Sequence, residues 1–434
     1  MFDRFRNRFF IIVAAAALAS CGGSGDDDEG DARIRLLNLS TGYPTLDLIT
    51  NIDADEDDED ETHASGVALH AVSDYFTLEA DDYTIKLKRT GSGSILRSFA
   101  GEELVEGTVN TYVAYGEVGA FGALRLDDSA DEADAGETKL SIANVSTAGA
   151  LDVYITDTDV DLDDTTPVLS AVSASFVGLS VDSGTFRLRA TAAGDTADVR
   201  LDIAAFTLAD RGVASLIFTS TQGGTLANAV YMPQEGEPTR LLNTKARVRG
   251  AIGVANGAST SIRANGQNVL GAATAGVIGS RYTLLEAGTV PVALTVNGAA
   301  VPVSDVSLQA GADYTLLAWS NADGPQVSLI LDDNRLPSSS GSTKIRLLHG
   351  MSTLAAPLTL SLDFSPVIEG TLLGEVSDEV EVSSGSDRLF DVTNSSTAQL
   401  VLTRSSITLQ PNSVYTFFMT DNGATAIGVL RRDR

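Results

Sequence analysis

Apolar and polar residues alternate with a period of two in short stretches along the chain. In residues 83–88, 186–189 and 294–296, every second side chain is apolar. Because successive side chains of a strand point to opposite faces, this pattern predicts strands with one buried and one wet face. Gly, Asp, Asn and Ser cluster between these stretches, and helical periodicity is lacking beyond the N-terminal leader. The pattern predicts an all-β chain built of sandwiches.

The opening strand of this pattern recurs at a period of roughly one hundred residues, which is the mark of tandem domains. It reads Ala-Arg-Ile-Arg-Leu-Leu-Asn from Ala32 and Thr-Lys-Leu-Ser-Ile-Ala-Asn from Thr138. It returns from Lys344 and, more weakly, from Ala246. We therefore predict four β-sandwiches, at residues 32–128, 137–232, 239–333 and 343–434. We expect them to be independent and to lie end to end, extending on the order of 100 Å.

A tyrosine marks a late strand of three repeats, at Tyr112, Tyr314 and Tyr415. Core packing is the favoured interpretation, and the alternative is a tyrosine corner, in which the hydroxyl bonds to a nearby loop. Trp319, near Tyr314, is expected in a sandwich core, with a glycan-stacking face as the alternative.

The first residues resemble a bacterial lipoprotein leader. Three arginines precede an apolar stretch at residues 9–18, which is too short to span a bilayer. Leu18-Ala19-Ser20-Cys21 resembles a lipobox, and Cys21 is the sole cysteine. We predict a signal peptide at residues 1–20, a lipidated Cys21, and an acidic, glycine-rich tether at residues 21–31. An ordinary secretory leader is the alternative.

The predicted location is the cell envelope, where the lipid anchor contacts the membrane. Gly22 rather than aspartate follows the cysteine, which suits the outer membrane in bacteria that use that sorting signal. The leaflet, and hence exposure to the periplasm or to the cell surface, stays open.

The chain is strongly acidic, with a formal net charge of -29. Such a charge repels nucleic acid and anionic lipid, so cations, basic proteins and neutral glycans are the permitted partners. A lone cysteine excludes disulfide stapling, and stability must therefore come from packed cores.

Two acidic runs follow the second strand of their repeats. Residues 53–61 carry eight carboxylates, and residues 157–164 carry five. Oxygen ligands at alternate positions suit Ca²⁺, which nominates Asp157, Asp159, Asp161 and Asp163 as metal ligands. Leu162 and Val168 occupy the sixth and twelfth positions, so the run lacks EF-hand spacing. A solvated, self-repelling loop is the favoured interpretation, with Ca²⁺ as a secondary hypothesis.

The repeat pattern resembles a bacterial family known as domain of unknown function 4397. The resemblance is carried by alternating basic and aliphatic residues that lead into Asn38-Leu39-Ser40 or His349-Gly350, followed by Leu46-Asp47-Leu48. It implies immunoglobulin-like folds in tandem on secreted or lipid-anchored proteins, and it implies no chemistry. His349 stands where repeats 1 and 2 carry Asn38 and Asn144, which argues against a shared metal or catalytic role.

The sequence predicts a non-enzymatic envelope lipoprotein that displays sandwich modules for adhesion, surface structure or binding of proteins or glycans. The three histidines are too scattered for a zinc site, and nucleophile-elbow and phosphate-loop motifs are lacking. One alternative is a Ca²⁺-binding stalk that is stiffened through the acidic loops. A further alternative is a carbohydrate-active hydrolase, since carboxylate pairs are abundant.

Overall fold

The computed structural model describes residues 30–52, 59–255 and 257–434. These residues form strands and turns, with one short 3-10 helix at Leu162–Asp164. None of the described helical structure is long and apolar enough to cross a bilayer. The predicted signal peptide, Cys21 and most of the tether lie outside the described residues, as do residues 53–58 of the first acidic run.

Strands are numbered in chain order. Repeat 1 contains β1 (Asp31–Leu39), β2 (Thr45–Ile52), β3 (Glu61–Ala68), β4 (Phe76–Glu79), β5 (Asp82–Arg89), β6 (Ile95–Glu103), β7 (Val109–Tyr115) and β8 (Gly122–Asp127). Repeat 2 contains β9 (Glu137–Asn144), β10 (Leu151–Thr156), β11 (Leu169–Val172), β12 (Val177–Asp182), β13 (Gly184–Ala192), β14 (Asp195–Leu208), β15 (Gly212–Ser220), β16 (Ala227–Pro233) and β17 (Thr239–Leu241).

Repeat 3 contains β18 (Lys245–Ile252), β19 (Thr260–Ala264), β20 (Gln267–Ala273), β21 (Val277–Ile278), β22 (Thr283–Glu286), β23 (Gly288–Val290), β24 (Val292–Val296), β25 (Ala299–Val301), β26 (Val306–Leu308), β27 (Asp313–Asn321) and β28 (Gly324–Asp332). Repeat 4 contains β29 (Ser342–His349), β30 (Leu358–Leu362), β31 (Ser365–Thr371), β32 (Val380–Ser383), β33 (Gly385–Asn394), β34 (Leu400–Leu409), β35 (Ser413–Asp421) and β36 (Ala426–Arg432).

All four repeats share one sheet plan. In repeat 1 the sheets run β4-β1-β7-β8 and β3-β2-β5-β6, and repeat 4 has the same order in β32-β29-β35-β36 and β31-β30-β33-β34. The opening strand pairs in parallel with the strand that starts the last hairpin, as β1 does with β7. Repeat 2 adds β17 to its first sheet, and repeat 3 adds the small β23-β26 pair. The predicted all-β class with four tandem sandwiches is confirmed.

The inward faces of each pair of sheets form a closed apolar core. In repeat 1, Ile34 and Leu36 from the first sheet pack with Leu48 and Ile85 from the second, and all four are fully buried. Burying a side chain of this size stabilises the fold by about 1.5–3 kcal/mol relative to exposure. The alternation in the sequence therefore marks this face correctly.

One module boundary differs from the prediction. Residues 239–241, expected to open the third sandwich, instead form β17 and pair with β16 of repeat 2. The third sandwich begins at β18 (Lys245–Ile252). The short Pro-flanked segment before β17 is a hairpin turn within the first sheet of repeat 2 rather than a linker, because its two flanking strands hydrogen-bond to each other.

The chain forms two compact units of two sandwiches each. Unit 1 holds repeats 1 and 2, and unit 2 holds repeats 3 and 4 together with residues 220–227. In unit 1 the outward face of the first sheet is apolar as well, since Leu37 and Val113 from repeat 1 pack with Ile217 and Val230 from repeat 2. The expectation of independent sandwiches lying end to end is wrong within this pair, because each covers the other's sheet face.

Unit 2 repeats the same packing. Leu317 from repeat 3 lies in one apolar cluster with Leu348 and Phe418 from repeat 4. At the centre the backbones touch, because a Cβ added to Gly253 would overlap the carbonyl oxygen of Gly350. Residues 253 and 350 each follow the opening strand of their repeat, so the two sandwiches meet through equivalent positions.

A buried set of charges crosses this contact in unit 2. Arg249 of repeat 3 binds Asp433 of repeat 4 at 2.5 Å, and Arg346 of repeat 4 binds Asp332 of repeat 3 at 2.7 Å. Both carboxylates are fully buried and both guanidinium groups nearly so. Each arginine thus reaches the carboxylate of the neighbouring sandwich, and the four charges cancel.

Hydrogen bonds complete the set. Thr315 and Tyr282 each donate to Asp332 at 2.7 Å, and Arg346 donates to Thr416 at 2.8 Å. Burial alone would raise the pKa of Asp332, but the positive charges of Arg346 and Arg249 outweigh burial and lower it. The carboxylate therefore stays ionised in a dry environment.

The register of the repeats corrects the alignment of the tyrosines. Thr111, Thr315 and Thr416 pair with Arg35, Arg249 and Arg346, so these threonines are equivalent. Tyr314 and Tyr415 precede their threonine, and each hydroxyl accepts a backbone N–H five residues upstream, from Gln309 at 3.1 Å and Gln410 at 3.2 Å. The tyrosine-corner alternative is thus correct in repeats 3 and 4.

Tyr112 occupies a different place in the repeat. It follows its threonine and points into the core of repeat 1, where its buried hydroxyl has no hydrogen-bond partner among the described residues. Its equivalents by strand register are Leu316 and Phe417.

Breaking the buried charge set should cost far more than breaking a surface pair. We expect Arg346→Met to lower the free energy of unfolding by about 3–5 kcal/mol, because Asp332 is left buried with less compensation. Arg335→Met is the matched control, since Arg335 is 44% exposed in its pair with Asp333 and such pairs contribute about 0–1 kcal/mol. Urea unfolding of both variants measures the difference, and equal costs would contradict the assignment.

Candidate functional site

The segment that joins the second and third strands is the part of the repeat that varies most. We call these segments the variable hairpins: they span residues 53–60 in repeat 1, 157–168 in repeat 2, 265–266 in repeat 3 and 363–364 in repeat 4. The first two carry the acidic runs, and the last two are tight two-residue turns. Because a sandwich core is indifferent to loop length, variation concentrated here indicates the functional part of the module.

In repeat 2 the variable hairpin folds back on its own sheet. Leu162 is buried within it, and the Asp161 side chain accepts the backbone N–H of Asp163 at 3.2 Å as the cap of the 3-10 helix. The Asp163 carboxylate accepts the hydroxyl of Thr196 at 2.7 Å. The loop is thus a packed structure rather than a free acidic ribbon.

Two arginines of β13 donate hydrogen bonds to this hairpin. Arg187 forms a two-pronged pair with Asp202, at 2.8 and 2.7 Å, and donates to the carbonyl of Thr158 at 3.3 Å. Arg189 donates to the carbonyl of Val160 at 2.8 Å. Guanidinium groups therefore bind two of the loop carbonyls, which are oxygens of a kind that Ca²⁺ also takes as ligands.

The charge of Arg189 is buried, which costs free energy. It is 6% exposed and its Nε has no hydrogen-bond partner among the described residues. Burial, and then the nearby charge of Arg187, lower the pKa of Arg189. The negative charges of Asp202 and Asp161 act in the opposite direction, so the acidic hairpin stabilises this buried cation.

The described end of the acidic run in repeat 1 has the same relation to its sheet. Lys86 and Lys88 of β5 both bind Asp60, at 2.5 and 2.7 Å. Hydrogen bonds from Lys86 and Lys88 lower the pKa of Asp60. Lys86 and Arg189 occupy equivalent positions, opposite Ile49 and Tyr154, so a basic residue from the same strand of the second sheet contacts the described part of each acidic hairpin.

The four predicted metal ligands are not assembled into one site. Among the described residues, no three acidic, cysteine or histidine side chains lie close enough together to hold a metal ion. Asp161 and Asp163 instead serve the local hydrogen bonds given above. The Ca²⁺ hypothesis stays a prediction and receives no ligand cluster from this geometry.

The three histidines are half-buried or fully buried in the fold. His63 lies 2.7 Å from the hydroxyl of Thr50 and His70 is half-buried in a turn. His349 is fully buried, with its Nδ1 accepting the N–H of Met351 at 3.3 Å and its Nε2 lying 3.2 Å from the carbonyl of Ala356. Burial lowers the pKa of His349 to about 4.

His349 performs the role that asparagine performs in repeats 1 and 2. Asn38 accepts the N–H of Ser40 at 3.0 Å, and Asn144 accepts that of Ser146 at 3.0 Å. Both also donate to carbonyls of the following loop. Each of the three side chains therefore ties the end of the opening strand to the next loop.

The alternative of a glycan-stacking face at Trp319 and Tyr314 is not supported by their positions. Tyr314 is 5% exposed in the core of repeat 3. Trp319 lies against Gly374 of repeat 4 and donates its indole N–H to Ser328 at 2.8 Å.

The model of one protein family, "Domain of unknown function (DUF4397)", matches residues 32–154 and 246–360, more than half of the chain. The chain belongs to this family. Each match starts in the opening strand of repeat 1 or 3 and ends in the second strand of the following repeat. The resemblance predicted from the sequence is confirmed, and the family description assigns no activity.

No curated protein matches the chain. Among solved structures, it is similar to the carbohydrate-binding module CBMbc (family CBM26) of Eubacterium rectale Amy13K in complex with maltoheptaose, with 13% identity over 45% of this chain and 95% of that chain and a TM-score of 0.15. It is also similar to the TIE protein of Bacillus anthracis, with 11% identity over 66% of this chain and 50% of that chain and a TM-score of 0.14. At these TM-scores neither likeness supports an argument about ligands.

Sequence reasoning missed the buried arginines of the opening strands. The alternation of basic and aliphatic residues from Arg33, Arg247 and Lys344 predicts a wet outer face. Arg35, Arg249 and Arg346 are instead 3%, 1% and 1% exposed. The available signal was the carboxylate at the end of the last strand, Asp128, Asp332 or Asp433, since a buried arginine needs such a partner.

Protonation of His349 should make stability depend on pH between about 4 and 6.5. The unfolded histidine has a pKa near 6.5 and the folded one about 4, so the unfolded state binds more protons in this window and stability falls as pH falls. The expected loss is about 1.4 kcal/mol per pH unit. His349→Asn keeps the bonding seen at Asn38 and should remove this component. Chemical unfolding from pH 4 to 7 tests it, and identical pH profiles for both proteins would contradict it.

Calcium should leave the melting temperature unchanged. Arg187 and Arg189 already bind the carbonyls of the repeat 2 hairpin. We therefore expect the melting temperature to differ by less than about 1 °C between excess EDTA and millimolar Ca²⁺, because an ion that does not bind the folded state does not stabilise it. Mg²⁺ is the control for unspecific screening. A rise of several degrees with Ca²⁺ alone, abolished in an Asp157→Asn/Asp159→Asn variant, would restore the calcium site.

Proposed function

We propose that this protein is a non-enzymatic, lipid-anchored cell-envelope protein that displays paired β-sandwiches for adhesion, surface structure or partner binding. The observation that carries the proposal is the arrangement of a lone lipobox-like Cys21, a short acidic tether, and sandwich modules from Asp31 onward. A lipid chain supplies membrane contact, and the tether separates it from the first sheet. The outer membrane is the proposed location.

The packing within the units supports a display role. Each sandwich is held by its own core and by its neighbour, so the strands that carry the variable hairpins form a stiff base. A rigid base reduces the entropy lost when a loop binds a partner. The most deeply buried charges, including Arg346 and Asp332, are bound to each other. Such pairing stabilises the fold and does not present these groups to a substrate.

Electrostatics limits the partner class. The net charge of -29 disfavours nucleic acid and anionic lipid surfaces, and it favours basic proteins or neutral glycans. Asp60 of repeat 1 and the acidic hairpin of repeat 2 are bound by lysines and arginines of their own sheets, whereas the two-residue hairpins of repeats 3 and 4 carry no acidic run.

The anchor is tested by Cys21→Ser, with Ser24→Ala in the tether as matched control. We expect wild type and Ser24→Ala to incorporate labelled palmitate and sediment with membranes, because the acyl chains hold them there. Cys21→Ser should lose the label and become soluble. Protease shaving of intact cells then distinguishes surface from periplasmic display. Retention of Cys21→Ser in washed membranes would overturn the lipid anchor.

A further inference from the structure

The variable hairpin of repeat 4 holds an aromatic side chain in an unfavourable place. Phe364 is 80% exposed, which is the largest exposure of any large apolar side chain in the described residues. Its φ is 69°, and that of Asp363 before it is 50°. Both values lie in the left-handed region, where a bulky side chain is a genuine outlier. Phe364 thus combines backbone strain with loss of burial.

Repeat 3 shows the unstrained solution at the same position. There the two-residue turn is Asn265-Gly266, with φ values of 48° and 73°. Turns of this kind need positive φ at both residues and favour Asn-Gly or Asp-Gly. Repeat 4 therefore adopts the favoured conformation with a disfavoured residue, and such outliers are retained where they serve a function.

The turn that carries Phe364 is fixed to the adjacent strand. The Asp363 carboxylate accepts the backbone N–H of Leu389 at 2.8 Å and the Nε of Arg388 at 2.5 Å. Arg388 also donates to the carbonyl of Ser383 at 2.9 Å. The ring is therefore presented on a preorganised base, which lowers the entropic cost of binding.

The charges near the tip favour one class of partner. Arg388 is paired with Asp363, and the exposed carboxylate of Asp387 lies next to it in the chain. The local charge is thus negative, like that of the whole chain. A rigid aromatic side chain can fill an apolar pocket of a partner protein, and carboxylates beside it complement basic residues at the rim of that pocket.

We propose that Phe364 is a binding anchor that inserts into an apolar, basic-rimmed pocket of a partner protein. The proposal rests on the display function above and names its binding element. Asp363 and Arg388 position the ring, and Asp387 provides the charge that complements the rim. Repeat 3, with glycine at the equivalent position, lacks this anchor.

The experiment first identifies the partner in intact cells and then measures binding with purified proteins. The photoreactive residue p-benzoylphenylalanine is placed at position 364 and, as matched control, at position 266. We expect a discrete protein adduct from position 364 only. The adduct serves to identify the partner, and the affinity of the purified partner for the full-length protein decides the proposal.

We expect Phe364→Gly to weaken binding at least tenfold, equivalent to about 1.4 kcal/mol. The same variant should raise the melting temperature by about 2–4 °C, because glycine relieves the turn. Phe364→Tyr should bind within about threefold of wild type. Asp387→Asn should weaken binding and reduce its salt dependence, since it removes the complementary charge.

Three results would overturn the proposal: an adduct with lipid or with a second copy of this chain, no adduct specific to position 364, or unchanged affinity of Phe364→Gly. None of them affects the palmitate labelling or membrane sedimentation that test the anchor. Failure of Phe364 as the binding element is therefore distinguishable from failure of the envelope function.

Discussion

Exchange of arginine–carboxylate pairs between neighbouring sandwiches is the constraint on which unit 2 depends. Arg249 and Arg346 each make their shorter contact with the carboxylate at the end of the other module, and each also lies 3.5–3.6 Å from the carboxylate of its own. Taking four charges out of water is tolerated only because they cancel and because threonine and tyrosine hydroxyls satisfy the remaining oxygens. Such a set accepts one relative placement of two sheets, since a small shift would leave an ion unpaired.

Unit 1 holds two sandwiches together with fewer charges. Repeat 1 keeps Arg35 bound to Asp128 at 2.6 Å. Repeat 2 has Ser141 and Gln234 at the corresponding positions, and the Gln234 amide donates to the backbone carbonyl of Asp128. The apolar contacts around Leu37 and Ile217 therefore contribute more of the adhesion here. The same pairing geometry thus tolerates both a polar and a mostly apolar centre.

The parts of this chain that vary between repeats are separate from the parts that hold the sandwiches together. Within each unit the first sheets of the two repeats are buried against each other, so the second sheets and their variable hairpins can differ between repeats. In repeats 1 and 2 a basic residue of the same sheet contacts the acidic hairpin, Lys86 at Asp60 and Arg189 at the carbonyl of Val160. In repeat 4 the hairpin is short and presents Phe364. One position of the fold therefore carries different chemistry in different copies.

The sequence by itself determined the strand period, the four copies, the core faces and the family resemblance, because alternation and recurrence are local properties of the chain. It also located the acidic runs and the equivalence of His349 with Asn38. It did not reveal that the opening strands are buried on both faces, since an arginine in an alternating strand has the same pattern whether it meets water or a carboxylate.

Only the tertiary structure decided which polar groups are buried together and where the backbone is strained. The Arg346–Asp332 pair joins two repeats, the basic residues beneath the acidic hairpins come from a different strand, and the strain at Phe364 depends on a backbone angle. Each arises from contacts between segments distant in the chain or from a turn geometry that competes with residue preference. The physical reason is that long-range pairing sets which polar groups are desolvated, and composition alone does not encode those partners.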